Sequence, residues 1–304
     1  MKIFYGVDNN LVDVTDICFQ KMKKNETIII PFGDENRSKY FKDHLYGTKK
    51  KIFIEIDNVF TVYDDYTQII VDTTTNTITT KNIDTARNRV NINEKLNNIH
   101  SKLQIKHGSF DHELPEQKMV VRYLTGKEKV LEIGGNIGRN SLVIASILEN
   151  DTMLVTLESD VNIANQLIEN RDLNNFHFHI ECSALSNRRL IQKGWDTIPS
   201  NTLLEGYDWV NTITLDNLKT KYNTVFDTLI LDCEGAFYYI LMDMPEILEN
   251  INLIIMENDY WDISRKKYID TLLLDNGFLI DYVESGGWGP CYSNFFEVWR
   301  KMAL

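Results

Sequence analysis

The sequence predicts a doubly wound α/β domain with a smaller β-rich domain at its N-terminal side. Three observations predict it. From about residue 113 onward, short β-branched runs alternate with amphipathic helical runs. A glycine-rich turn, Gly134-Gly135-Asn136-Ile137-Gly138, joins the first of those strands to the next helix. Residues 1–80 instead carry a series of short β-prone runs. Strands alternating with helices specify a mostly parallel sheet covered on both faces, and consecutive short strands specify an antiparallel unit.

In the N-terminal part the runs KIFYG, TIIIPF, KKIFIEI, VFTVYDD and TQIIVDT are rich in Ile, Val, Phe and Tyr. Turn signals at Phe32-Gly33-Asp34 and Leu45-Tyr46-Gly47 separate them. A helix is expected over Thr15–Lys24, capped by Thr15 or Asp16. The stretch DTTTNTITTKNIDTARNRVN, residues 72–91, is polar, rich in Thr and Asn and without an apolar period, and reads as a hairpin leading into a linker near 80–98. The expected domains are therefore 1–80 and 99–304, joined by 81–98.

The C-terminal part begins with PEQKMVVRYL, an amphipathic helix with Pro115 in its first turn. KVLEIG reads as a strand, NSLVIASIL as a helix, MLVTLES as a strand and VNIANQLIENRDL as a helix. FHFHIEC and FDTLILD follow as strands, AFYYILMDMPEIL as a helix and NLIIMEN as a strand. SRKKYIDTLLLDNG is a helix closed by Gly277, and FLIDYV and FFEVWRK are the last strands. Ligands of such sheets sit beyond the carboxyl ends of the strands.

Bulk composition narrows the function. The chain of 304 residues is 43% hydrophobic and 25% charged, ordinary for a soluble globular protein. It has no apolar run of about 18 residues, so no membrane partner is expected. The start, MKIFYGVDNN, lacks the features of a signal peptide, and Cys18, Cys182, Cys233 and Cys291 form no CxxC pair. A cytoplasmic location is the expectation. Of 32 Lys and Arg and 44 Asp and Glu, the first hundred residues hold 14 of each, which leaves 18 against 30 for the remainder. A part this acidic has no general attraction for a phosphate backbone, so nucleic acid is not expected as a partner.

The glycine turn narrows it further. No GKS or GKT follows, so this is not a P-loop. A dinucleotide fingerprint would need glycines at 134, 136 and 139, where the chain has Gly134, Asn136 and Arg139. What stands there is Glu132-x-Gly134-x-Asn136-x-Gly138, with an acid at the strand end that repels pyrophosphate and suits a cation. Glu158 ends the next strand twenty residues after Gly138, where a carboxylate can accept hydrogen bonds from ribose hydroxyls. A ribose, a positive charge and no phosphate point to S-adenosylmethionine.

Residues ~107–300 resemble the FkbM family of S-adenosylmethionine-dependent methyltransferases, and the resemblance implies a Rossmann-like sheet. It rests on VLEIGGNIGRNSL, on LVTLESDVNIANQLIEN, on CSALS after the third strand, and on TITLDNL followed by TLILDCEGAFYYIL. It implies cofactor contacts from Glu132, Gly134, Asn136, Gly138, Glu158, Ser159, Ser183 and Ala184. The chain departs from the family pattern at Ile230, Phe237 and Ser159, where the family has Lys, Glu and Pro. No role of that lysine carries over. The N-terminal domain resembles nothing recognised; acceptor recognition and homo-oligomerisation are its candidate roles.

Methyl transfer from a sulfonium needs alignment and, for a hydroxyl acceptor, a base or a metal to take the proton. Asp232 and Glu234, in DCEG after the fourth strand, are the first candidates, with Glu257 and Asp259 after the fifth. A direct base is the favoured reading; a Mg²⁺ ion is the alternative. His107, or His112 in the same HGSFDHE segment, is the other candidate base. Trp195, Trp209, Tyr260, Trp261 and Trp288 lie in loop-like stretches and suit stacking on a sugar. The expected activity is O-methylation of a sugar or glycan hydroxyl. A metal-dependent small-molecule O-methyltransferase and a non-catalytic glycan- or partner-binding protein with a degenerate methyltransferase domain are the rivals.

Overall fold

The structure, a computed structural model, describes residues 1–301 apart from 43, 46, 47, 66, 83–86 and 195. The chain divides into two compact units, Met1–Asn88 and Arg89–Leu304.

The first unit is built from two antiparallel four-stranded sheets. One runs in the order Asn10–Asp13, Lys2–Val7, Lys51–Ile56, Val59–Tyr63. The other runs Lys23–Lys24, Thr27–Ile30, Thr67–Asp72, Ile78–Asn82. Alternate residues Ile3, Tyr5, Ile52 and Ile54 from one sheet and Ile28, Ile30, Ile69 and Val71 from the other are buried together, the period-2 pattern of half-buried strands. The first helix is shorter than expected, Thr15–Lys21, and neither Thr15 nor Asp16 is its N-cap. Thr15 Oγ1 instead accepts the Ile3 N–H at 2.8 Å, a long-range bond that local sequence does not announce.

The hairpin of Thr67–Asp72 with Ile78–Asn82 forms as expected. The linker up to residue 98 does not: residues Arg87–His100 are a helix, and 83–86 lie outside the described residues. Ile92 and Leu96, four apart, are both buried. With Ile99 they stand at i, i+4 and i+7, a helical period interrupted by charged and Asn residues on either side.

The second unit holds a seven-stranded sheet. Its strands are β1 (Val130–Ile133), β2 (Leu154–Leu157), β3 (His179–Glu181), β4 (Thr228–Leu231), β5 (Leu253–Glu257), β6 (Phe278–Glu284) and β7 (Phe296–Lys301). They lie in the order β3-β2-β1-β4-β5-β7-β6. All neighbours are parallel except β7, which runs antiparallel to both β5 and β6. The four residues of β1, β2 and β4 are buried without exception, as strands covered on both faces must be. The helices are α1 (Leu114–Tyr123), α2 (Arg139–Ile147), α3 (Val161–Leu173), α4 (Leu215–Tyr222), α5 (Phe237–Asp243) and α6 (Ile263–Asp275). Asp160, Thr214 and Asp262 cap α3, α4 and α6 by accepting backbone N–H groups.

Strand order reverses between β1 and β4, so a crevice opens at their carboxyl ends. After β3 the chain makes a small antiparallel sheet of Asp196–Pro199, Leu190–Lys193 and Asp208–Val210 beside that crevice. Among the described residues, no helix is long and apolar enough to cross a membrane.

Candidate active site

The crevice is a cleft with about 960 Å³ of empty space out to its mouth. Its inner wall is the glycine turn. The Gly134 and Gly135 N–H groups both donate to Leu157 O, at 3.0 and 2.9 Å. Gly134 has φ 92°, and a Cβ there would stand 1.6 Å from the Asp232 carbonyl oxygen. Only glycine lets the turn pass the end of β4. The Asn136 N–H donates to Glu158 Oε2 at 2.9 Å. The Ile137 N–H donates to Asn136 Oδ1 at 2.8 Å, and that of Gly138 to Gly135 O at 2.9 Å. All five amides of the turn are thus satisfied within the protein.

Gly134, Asn136, Glu158, Ser159, Ser183, Ala184, Asp232 and Glu234 all line this one cleft. Glu158 is 7% exposed. Its Oε1 accepts the Asp160 N–H at 2.8 Å, so each oxygen takes one amide and keeps acceptor capacity toward the cleft. Burial raises its pKa, and the two amide donors hold it back. Ser159 Oγ donates to Gln192 Oε1 at 3.1 Å, tying the end of β2 to the small sheet. Ser183 Oγ donates to Glu181 Oε1 at 3.2 Å, and Glu181 is itself held by Lys221 at 2.6 Å and the Tyr222 hydroxyl at 2.8 Å.

Two of the expected cofactor residues lie elsewhere. Glu132 is 2% exposed, beneath the turn, where it accepts from Ser141 Oγ and from Asn140 Nδ2 at 3.3 Å. Burial pushes its pKa up to about 7. Its carboxyl binds the first turn of α2 and does not line the cleft. Gly138 packs rather than binds: a Cβ there would strike Leu167 Cδ1 at 2.3 Å, so its role is to let α2 and α3 approach.

The outer wall pairs the small sheet, which no run along the chain announces, with α5. Leu190, Gln192, Thr197 and Pro199 of the small sheet face Tyr239, Ile240 and Met244 of α5 and its end. Arg188 grips Asp243 through Nε and Nη2, both at 2.5 Å, and so fastens the two sides.

Asp232 and Glu234 form an acidic corner. The Asp232 carboxyl is raised well above its ordinary pKa by burial and by Glu116, Glu113, Glu234 and Glu132. Glu234 reaches solvent at its tip but is partly desolvated; that and Asp259 push its pKa up to about 8. Glu257 does not line the cleft. It is hydrogen-bonded to Glu116 of α1, and burial, with Asp232 and Glu116 nearby, pushes its pKa up to about 11. Glu116 was not among the candidates, although an acid three and four positions before Met119 and Val120, on the apolar stripe of a helix, is a legible signal. Among the described residues, no three His, Cys, Asp or Glu side chains gather as a metal-holding group.

His107 is turned away from the cleft. Its Nε2 lies 2.7 Å from Glu169 Oε2 on α3, and the fully buried Asn170 binds both its N–H and its C=O. Arg139 and Asn136 clamp Glu113 at 2.5 and 3.2 Å, and Arg139 Nε donates to Ser109 O at 3.1 Å. The HGSFDHE segment is fastened over the turn and presents no histidine to the cleft. His112 is exposed and does not line it.

Of the aromatic candidates, Tyr260 is 3% exposed, packed near Gly235, and belongs to the core. Trp261 and Trp288 are 75% and 40% exposed, with ring centroids 4.5 Å apart. They do not line the cleft but follow the carboxyl ends of β5 and β6, on the same sheet edge. Trp209 is also outside the cleft, with the Arg189 guanidinium 3.9 Å from its ring centroid. Trp195 lies outside the described residues.

No protein-family profile matches the chain, and no curated protein matches it. Solved structures do. One is an O-methyltransferase from Bacillus cereus in complex with SAH, 15% identical over 72% of this chain and 93% of that one, with a TM-score of 0.41. A ribosomal protein L11 methylase from Lactobacillus delbrueckii subsp. bulgaricus is 11% identical over 65% and 82%, with a TM-score of 0.40. A protein of the NADB-Rossmann superfamily from Streptococcus agalactiae is 13% identical over 66% and 72%, with a TM-score of 0.40.

Proposed function

We propose that this chain is an S-adenosylmethionine-dependent O-methyltransferase acting on a hydroxyl of a sugar or glycan. The observation that carries the cofactor is the closed hydrogen bonding of the glycine turn beside Glu158. No amide from 134 to 138 is left to cradle a phosphate, while Glu158 keeps an acceptor position on each oxygen for a ribose diol. The apolar faces of Leu185, Leu190, Ile240 and Met244 suit a purine between the small sheet and α5. The resemblance to the FkbM family supports the same reading.

When bound, S-adenosylmethionine supplies a methyl group on a sulfonium. Glu158 orients the nucleoside, Ser183 and Ala184 close its base end, and the Gly134 turn brings the ligand against Asp232. Asp232 is the candidate base for the acceptor hydroxyl. Its carboxylate form is required, and a nearby positive charge favours that form. Trp261 and Trp288 offer a stacking platform for a sugar on the same edge. The acidic balance of residues 101–304 favours such an acceptor over nucleic acid. The described residues do not fit a metal, so no step is assigned to one.

Turnover with labelled S-adenosylmethionine over a panel of nucleotide sugars and short glycosides tests the reading. Asp232→Asn is expected to lower turnover at least ~10²-fold with wild-type turnover insensitive to EDTA. Full activity in Asp232→Asn would remove Asp232 from the chemistry. Loss on EDTA with recovery on added Mg²⁺ would favour the metal-dependent rival. Absence of any S-adenosylmethionine binding would favour the non-catalytic one.

A further inference from the structure

The start of helix α5, where the chain departs from the family pattern at Phe237, carries two tyrosines that the proposed methyl transfer does not use. Tyr239 lines the cleft. Its neighbour Tyr238 stands 5.3 Å from Tyr268 of α6, ring centroid to ring centroid. Helix α5 packs against α6, and this seats the Arg265 guanidinium 5.5 Å from the Tyr238 ring centroid and 5.2 Å from that of Tyr239. Aromatic rings take the flat face of a guanidinium, while its N–H groups lie in its plane and stay available at the edge. Among the described residues nothing takes them. Arg265 has no ion pair and no side-chain hydrogen bond, and the hydroxyls of Tyr238, Tyr239 and Tyr268 have no partner either.

Acids outnumber cations by 30 to 18 after residue 100, yet none is placed on Arg265. Asp262, three residues before it, caps α6 by accepting the Ser264 N–H at 2.9 Å. Glu234, at the head of α5, is engaged with Asp259. Arg139, Arg171 and Arg188 show the ordinary outcome, each paired with a carboxylate. Arg188 lies 5.8 Å from the same Tyr239 ring, so two guanidiniums and one carboxylate, Asp243, meet at this wall of the cleft. One positive charge there is left uncompensated.

We propose that Arg265, with the hydroxyls of Tyr238 and Tyr239, receives an anionic group of the acceptor, a carboxylate or a phosphate, so that the substrate is an acidic sugar. The proposal deepens the methyl-transfer reading of the cleft and rests on it. A guanidinium fork matches two oxygens of either group, and the phenolic O–H groups add further donors. The acidic unit as a whole repels anions, so selection of an acidic acceptor has to come from a local cation. Trp261, four residues before Arg265, offers its ring to the sugar of the same acceptor.

Calorimetric titration of the full chain with glucuronate, glucose 6-phosphate and glucose, with and without S-adenosylhomocysteine, tests this. Both anions should bind, glucose at least about tenfold more weakly, and added NaCl should weaken the anions alone. The tighter of the two anions assigns the carboxylate or the phosphate. Arg265→Gln should weaken the anions about tenfold or more, the scale of hydrogen bonds to a charged group, and leave glucose unchanged. Arg265→Lys should fall between. Should Arg265→Gln fail to fold, Tyr238→Phe keeps the ring and should still weaken the anions by roughly tenfold. Binding of neither anion, or equal anion affinity in wild type and Arg265→Gln, would overturn the proposal and leave Arg265 as a staple between α5 and α6. Anion binding in a chain that takes neither S-adenosylmethionine nor S-adenosylhomocysteine would overturn the methyl-transfer reading, and the acceptor with it, while the anion site itself would stand.

Discussion

Replacing Glu158 by alanine removes two kinds of interaction that can be measured apart. Within the protein, Oε2 accepts the Asn136 N–H at 2.9 Å and Oε1 accepts the Asp160 N–H at 2.8 Å. A buried donor left without its acceptor costs about 1–3 kcal/mol, and water entering the cleft keeps each loss near the lower end. The expected destabilisation is about 2 kcal/mol, which for a unit of this size lowers the melting temperature by about 4–8 °C. Toward the ligand, hydrogen bonds to a charged acceptor are worth about 1.5–3 kcal/mol. At about 1.4 kcal/mol per tenfold, S-adenosylmethionine should bind roughly 10–150-fold more weakly. Glu158→Gln keeps one acceptor but turns an amide toward a backbone N–H, so its affinity should fall between the two. Titration calorimetry gives the affinities and scanning calorimetry the stabilities, with NAD as the control ligand. A folded Glu158→Ala variant that binds S-adenosylmethionine as well as the wild type would refute the ribose assignment. Tighter binding of NAD would instead refute the choice of S-adenosylmethionine as cofactor, because the turn has no amide to offer a pyrophosphate.

Gly134→Ala should cost about 3 kcal/mol or more in urea unfolding, since the new Cβ meets the Asp232 carbonyl at 1.6 Å in a left-handed backbone conformation; a loss under about 1 kcal/mol would show that the turn can move aside. Stability of the ligand-free protein should fall as pH rises from 6 to 8.5. Glu132 titrates at about 7 and Glu234 at about 8 against an ordinary 4.5, so the folded state holds more protons than the unfolded one across that window. Scanning calorimetry checks the direction, and Glu234→Gln should flatten its upper half. Trp261→Ala is expected to raise the KM for the acceptor about tenfold, near the loss of one aromatic contact of about 1.5 kcal/mol, with S-adenosylmethionine affinity unchanged; an unchanged KM would remove the platform from acceptor binding.

The sequence by itself determined the elements whose pattern is local. The alternation of buried strands with capped helices needs only residue periodicity, so β1, β2, β4 and β5 stand where their apolar runs place them. The spacing from Gly134 to Glu158 is one helix and one strand, and adjacent parallel strands bring its two ends together at one edge. That is why eight of the named residues share one cleft. Only the tertiary structure decided which way the remaining side chains point. Glu132 is enclosed by α2, and Glu257 lies outside the cleft lining beside Glu116, because a residue at a strand end has two faces and its neighbours choose between them. His107 turns to Glu169, and Tyr260 is buried, through contacts with residues distant in the chain or with the packed core. Glu116 reaches the acidic corner because α1 packs on β5. No spacing along the chain encodes that approach, since the partners are more than a hundred residues apart and meet only when the sheet has closed around them.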